Sequence, residues 1–379
     1  MHRRGFARSI AIIEENRPSI APSVRRTLDI LMQDILASPH HDAAWTKGLL
    51  NAAGTPLEYA FSSLSDDLRY TVEVGGPHLA PRERLGRINE LVANLGWGDG
   101  CLEVIREFQP VQESGPLNWG AWLSVRHNSA TDAPLGAQAS LGAQASLGAQ
   151  ASLGAQASCL PVPELSLADE QAGCLRSQST DLPSYKVYVE IPLGGVAAAT
   201  GLMEDYSVTA PPLVEGAPLL VMIGKSPGSE RCEFYFELPT RGLTFESLRL
   251  LLGRIGLEER LETLVDLVRS SALCAPAERD HLSNAQFGFS YSVMPHGRDP
   301  VFSIFAFAAD FLGGDGIVRH QMLAAAFSRG WKLGIYPHIT EPVADRPFHS
   351  VYHNTVAFIV AESNIAGLHV SLSPPPQEI

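Results

Sequence analysis

The chain has 379 residues, 45% of them apolar and 18% charged, the make-up of a globular protein with a large core. Its 41 Asp and Glu outweigh 28 Lys and Arg, giving a formal charge of -13, so a general nucleic-acid or anionic-membrane surface is excluded and any phosphate binding has to be local. No run of about 18 apolar residues is present to span a bilayer, and the short apolar stretch Ile10–Ile13 stops at Glu14 and Glu15, which is no secretory signal. The cytoplasm is the expected location.

In chain order, residues 1 to about 50 read as helical, with Leu28, Leu31, Ile35 and Leu36 near the 3.6 period. A strand pair follows. Leu57, Tyr59 and Phe61 alternate with Glu58 and Ala60, and Leu68 to Val74 alternates again after Ser65, Asp66 and Asp67, which read as a polar turn. Residues 82 to 108 return to a helical pattern, and WLSVRHN is the last strand before a change of composition.

Four copies of LGAQAS fill residues 135 to 158. Residues 132 to 179 therefore read as an inserted low-complexity loop within a single domain of 1–379, because such a tract has too little apolar surface to offset its ordering entropy. Strands then resume at 185–191, 219–223, 231–238, 287–293, 301–308, 356–361 and 368–372, with helices at 244–271, broken near Gly256, and at 317–330. Hairpins alternating with helices point away from a parallel βαβ sheet and toward antiparallel strands closing a barrel with helices outside.

The familiar phosphate and hydrolase motifs are absent: no GxxxxGK[ST], HExxH or GxSxG, and no GxGxxG after a strand. The five cysteines are odd in number and form no CxxC pair, so neither a disulfide framework nor a zinc site is indicated. Asp66-Asp67 is a lone pair that reads as a solvated hairpin turn rather than a magnesium motif. The informative strand is YKVYVEI, where Lys186, Tyr188 and Glu190 share one face. In RCEFY, Arg231, Glu233 and Tyr235 do the same. Facing solvent, each strand is ordinary surface; facing a barrel interior, each offers charge and hydroxyl to an anion. Glu58 sits in the apolar strand GTPLEYAF with Arg69 eleven positions later, either as an acceptor for a buried N–H donor or as an ion pair with Arg69.

Together, LEYAF with Glu58, LRYTVE with Arg69, YKVY with Lys186 and Tyr188, and RCEFY with Arg231 and Tyr235 resemble the dimethylallyltryptophan synthase type of aromatic prenyltransferase. The resemblance covers roughly residues 40 to 375. It implies an α+β fold, the ABBA barrel of ten antiparallel strands in ααββ repeats. It also implies an enzyme that moves a dimethylallyl or geranyl group from its diphosphate to an indole, either tryptophan or a tryptophan-derived metabolite of secondary metabolism. Glu58 would then orient the indole N–H, and Arg69, Lys186, Tyr188, Arg231 and Tyr235 would bind the diphosphate. No cofactor is implied, and magnesium is not expected to be required. Trp119, Trp122, Tyr291 and Tyr352 are the candidates for shielding a carbocation.

The chain departs from the family pattern in three places. Glu233 stands where the family carries Lys; it can pair with Arg231, hold a magnesium ion, or face a basic group on the acceptor. The later strand with Ser303 and Phe305 lacks a charge and a phenol, and the last strand offers His369 in place of Tyr. Arg126 and His127 are candidates to restore a cation. Two other readings follow: a non-catalytic barrel in which Glu233 neutralises the cations, or a prenyltransferase acting on a phenol or a peptide side chain. An enzyme should gather Arg69, Lys186, Arg231 and Tyr188 around one void.

Overall fold

The computed structural model describes residues 2–37, 47–98, 100–128, 183–192, 194–271, 282, 284–346, 348, 352–362 and 364–375. Ten strands form the centre: β1 (Leu57–Ser62), β2 (Ser65–Val72), β3 (Ala121–His127), β4 (Ser184–Glu190), β5 (Leu219–Lys225), β6 (Cys232–Arg241), β7 (Gln286–Val293), β8 (Val301–Phe307), β9 (His353–Ala361) and β10 (Ala366–Leu372). Each pairs antiparallel with its sequence neighbours, and β1 pairs with β10 to close the barrel. Around it lie α1 (His2–Asn16), α2 (Ala21–Leu31), α3 (Arg84–Asn94), α4 (Gly100–Glu113), α5 (Val196–Asp205), α6 (Phe245–Gly253), α7 (Leu261–Ser271) and α8 (Asp315–Ser328).

Alternation along the strands separates two environments. Outward positions are apolar and buried beneath the helices: Leu57, Tyr59 and Phe61 on β1, Leu68, Tyr70 and Val72 on β2, Phe234 and Phe236 on β6, and Phe287, Phe289 and Tyr291 on β7. The hydroxyls of Tyr70 and Tyr291 find partners locally. The Tyr291 hydroxyl, for example, donates to the Leu251 carbonyl of α6 at 2.9 Å. Tyr291 is therefore a packing residue between barrel and helix, not a wall of the interior, and Tyr352 lies just before β9 with the Arg346 guanidinium over its ring. On β2, β3 and β4 the inward positions are mostly polar and only partly buried, whereas those of β9 include the buried, apolar Ala357 and Ile359, so one side of the interior is lined with polar groups.

The expected strands are present; the helical reading of residues 1 to about 50 holds within 2–36, residues 38–46 lie outside the described residues, and 47–50 are not helical. Ser65, Asp66 and Asp67 belong to β2, so the hairpin turn is shorter than the polar run suggests. Asp66 is exposed, as expected, and pairs with Arg17, whereas Asp67 is withdrawn from solvent and pairs with Arg126. Residues 82 to 108 split into a 3-10 turn, α3 and the first part of α4, with Gly96 and Gly98 at positive φ between the helices. Helix α5 was not anticipated: its alanine-rich run buries only Ala199 and carries no apolar stripe. The single-domain assignment and the insert at 132–179 concern a chain whose residues 129–182 lie outside the described structure.

Candidate active site in the barrel lumen

Cross-strand register shows which side chains share the lumen. Glu58 is opposite Thr71, Thr71 opposite Ser124, and Ser124 opposite Lys186, so one belt runs across β1, β2, β3 and β4. A second belt runs Trp122, Tyr188, Gly224, Glu233 and Ser292 across β3 to β7. Partners in register point to the same side of a sheet, and Tyr235 and Arg69 lie two positions from members of these belts. Glu58, Arg69, Lys186, Tyr188 and Tyr235 therefore share one lumen, although they are spread over about 180 residues of sequence.

Bare backbone helps to shape this space. A Cβ on Gly224 would lie 2.8 Å from the Tyr188 ring, and one on Gly288 would strike the Phe305 ring. Both rings therefore lean on strand backbone where any other residue would push them into the lumen. Trp122, on the inner face of β3, stacks on Trp119 with centroids 3.9 Å apart. Trp119 is positioned by Glu190, whose carboxylate accepts from the backbone N–H groups of Asn118, Trp119 and Gly120 at 2.8, 2.6 and 2.6 Å. Glu190 is thus a structural acid that holds the approach to β3, and its place on the Lys186 and Tyr188 strand does not make it part of the anion cluster.

Two acids sit in contrasting surroundings. Glu58 accepts from the Asn354 side-chain amide at 2.7 Å and from Ser371. Burial pushes its pKa up to about 7, and these two hydrogen bonds only partly oppose the rise. Glu233 is also deep, but the Lys186 ammonium lies 2.7 Å from its carboxylate and the Tyr235 hydroxyl donates to it at 2.5 Å. Burial favours the neutral acid, yet Lys186 and Tyr235 outweigh it and hold Glu233 below the usual carboxylate range. Lys186 is held above its usual value by the same partner despite burial. Both members of the pair are therefore charged.

The other interior cations are Arg69 and Arg126. Asp67 lies between them, 3.9 Å from Arg69 and 2.6 Å from Arg126. Burial lowers the Arg126 pKa to about 10, with Arg69 adding repulsion. His369, on the lumen face of β10, is pushed down to about 4 by burial and by nearby Arg69, and is neutral at pH 7.

Arg231 borders this cluster, close enough to interact with the Glu233 carboxylate, but its guanidinium ends are bound elsewhere. It precedes β6, donates to the carbonyls of Ser292 and Asp299 at 2.9 and 2.8 Å, and pairs with the Asp299 carboxylate. The structure thus gathers Glu58, Arg69, Lys186, Tyr188 and Tyr235, and engages the Arg231 guanidinium ends at the β7–β8 connection. Sequence reasoning missed Asn354 and Ser371 as partners of Glu58. The carboxylate in an apolar strand was the signal that such partners had to exist. Glu233 pairs with Lys186, and Asp67 lies within reach of both Arg69 and Arg126. Among the described residues, no group of three His, Cys, Asp or Glu side chains could hold a metal ion, and no helix is long and apolar enough to cross a membrane.

No protein-family model matches the chain, and no curated protein matches it. Solved structures do. A 6-dimethylallyl tryptophan synthase superposes with a TM-score of 0.65 at 14% identity, covering 100% of this chain and 98% of its own. The 6-dimethylallyltryptophan synthase of Micromonospora olivasterospora, solved with DMASPP and Trp, gives 0.62 at 13% identity over 98% and 96%. The 5-dimethylallyltryptophan synthase of Streptomyces coelicolor gives 0.58 at 16% identity over 91% and 89%. The fold is accordingly that of the dimethylallyltryptophan synthase barrels, the ABBA architecture expected from the sequence.

Proposed function

We propose that the chain is an aromatic prenyltransferase that transfers a dimethylallyl or geranyl group from its diphosphate to an indole, tryptophan or a tryptophan-derived metabolite, in the cytoplasm. The observation that carries this reading is the placement of a half-buried acid, Glu58, in the same lumen as Arg69, Lys186, Tyr188 and Tyr235. The fold shared with tryptophan prenyltransferases supports it.

In this mechanism the allylic C–O bond breaks and pyrophosphate leaves with the electron pair. Fixed cations and phenol donors stabilise that developing charge and need no reorganisation as it forms. The faces of Trp122, Tyr188, Tyr235 and Phe305 shield the allylic cation from water. The indole ring attacks to form a C–C bond, and its ring proton then passes to a carboxylate or to the released pyrophosphate, restoring aromaticity. Glu58, as the carboxylate, accepts the indole N–H and draws electron density toward the ring. This chemistry calls for no cofactor, because the leaving-group charge is met by side chains.

The test is incubation with dimethylallyl or geranyl diphosphate plus tryptophan or a tryptophan-derived lactam, followed by mass spectrometry for an added C5 or C10. An adduct that is lost in Lys186→Ala and Glu58→Gln supports the reading. No adduct and no diphosphate binding would leave the barrel a non-catalytic binding protein, the outcome toward which the Lys186–Glu233 pair would then point. An adduct on a phenol or peptide side chain but not on indole would keep the donor half and replace the acceptor.

A further inference from the structure

Lys186 is 22% exposed and Glu233 only 5%, and each already holds the other at 2.7 Å. The Tyr235 hydroxyl donates to the same carboxylate oxygen of Glu233, and the edge of the Tyr188 ring meets the Tyr235 ring. One carboxylate therefore occupies two of the groups that an anionic ligand would use. A diphosphate entering this cluster meets a fixed negative charge in a site where screening is weak. It engages Lys186 and Tyr235 only after Glu233 lets go, and a buried carboxylate that lets go needs another partner.

Such a partner exists on the same strand. Arg231 lies two residues before Glu233, is 5% exposed, and exerts an attractive field on the Glu233 carboxylate. Its terminal nitrogens bind Ser292 and Asp299, but its Nε, a buried donor, has no hydrogen-bond partner among the described residues.

We propose that Glu233 is an affinity-determining gate residue with two positions: on Lys186 and Tyr235 when the lumen is empty, and turned toward the Arg231 Nε–H when a diphosphate is bound. This inference rests on the prenyltransferase reading. It assigns Arg231 a function different from the one its sequence suggests, as the receiver of the displaced carboxylate and not as a ligand of the phosphates. The groups facing Glu233 are Lys186 and Tyr188 from β4, Tyr235 from β6, Arg231 before it, Arg69 from β2 and His369 from β10.

The experiment is calorimetric titration of the full-length protein with inorganic pyrophosphate, with and without magnesium, in a double-mutant cycle. Glu233→Gln is isosteric and removes the competing charge, so it should bind pyrophosphate roughly tenfold or more tightly than wild type. Arg231→Met should weaken binding in the wild-type background and have little effect in Glu233→Gln, because no carboxylate then has to be received. Persistence of the Arg231 effect in Glu233→Gln would mean that the guanidinium contacts phosphate directly and would overturn the gate. Thermal melts establish that each variant is folded, and if Arg231→Met is not, the Glu233→Gln comparison decides alone. Wild type that binds, with Glu233→Gln binding equally or more weakly, overturns the inference but leaves the prenyltransferase reading standing; a loss confined to magnesium-containing buffer would identify Glu233 as a metal bridge instead. Absence of pyrophosphate binding in both proteins would sink the parent reading and the gate together.

Discussion

Glu58 and Glu233 are two lumen carboxylates driven in opposite directions, Glu58 upward by burial and Glu233 downward by Lys186 and Tyr235. For Glu58, the folded state holds the proton more tightly than the unfolded chain, with a pKa of about 7 against 4.5. Its contribution to stability is therefore fully present below about pH 4.5 and is lost as pH rises through 7. Compared with Glu58→Gln, the wild type should lose up to about 3 kcal/mol of unfolding free energy across that window, measurable by urea denaturation at a series of pH values. Parallel curves for the two proteins would show that Glu58 is not buried as described. Activity should move the other way, because an indole N–H needs the ionised acceptor: kcat/KM should rise with a midpoint near pH 7, and Glu58→Gln should lose about 100-fold or more with the pH step abolished. Removing Lys186 should cost a comparable factor, about 100-fold, mainly in donor-dependent steps. Glu58 and Lys186 are legible from sequence because each is a charged exception flanked by apolar or aromatic neighbours, Leu57 and Tyr59 for one and Tyr185 and Val187 for the other. Glu233 is legible as an anomaly only. Its partner Lys186 lies 47 residues away, and the contact depends on the register of β4 through β6, which no local pattern encodes.

At the level of elements, buried carboxylates serve as anchors for irregular backbone. Glu190 has one such task at the Asn118–Gly120 approach to β3. Glu73, just after β2, has another: it accepts from the backbone N–H groups of Leu49 and Leu50 at 2.6 and 3.1 Å and pairs with Arg84 of α3 at 2.5 Å, with both side chains almost fully buried. Removing one partner of such a pair leaves an uncompensated buried charge. Arg84→Met should therefore destabilise the fold by about 3 kcal/mol or more in chemical denaturation, whereas replacing both residues with apolar ones should recover much of the loss. Glu190→Ala should free the Trp119 backbone and change the tryptophan fluorescence while leaving Lys186 in place; an unchanged spectrum would show that the stack on Trp122 needs no anchor. Strands were read well because the outer face of each carries buried apolar residues at every second position, as in Leu57, Tyr59 and Phe61. The limits of β2 were misjudged because Asp66 and Asp67 resemble a turn until Arg17 and Arg126 arrive from distant segments. Helix α5 was missed for the opposite reason, since alanines favour a helix without marking a face.

For the whole molecule, closure of ten sequential antiparallel strands makes each hairpin connection independent of the others. The ends of β3 and β4 that flank residues 129–182 pair side by side, with Arg126 opposite Ser184. Residues 135–158, the four LGAQAS copies, should therefore be removable without opening the barrel: the deletion is expected to keep the melting temperature within about 2 °C and to preserve any prenyl transfer. A large drop in either would give the repeats a structural part in the fold. The inner width of the barrel has a different origin. The strands set a fixed circumference, but the clear passage inside it is narrowed by two rings resting on glycine backbone, Tyr188 on Gly224 and Phe305 on Gly288. Trimming a ring, as in Phe305→Ala, should widen the passage at one height without disturbing the wall, and a shift in preference from five-carbon to ten-carbon donors is the measurable result. Adding a methyl beneath a ring, as in Gly288→Ala, should constrict it. The calibre of this channel is thus adjustable one residue at a time, so related chains with identical walls can differ in the length of the chain they admit.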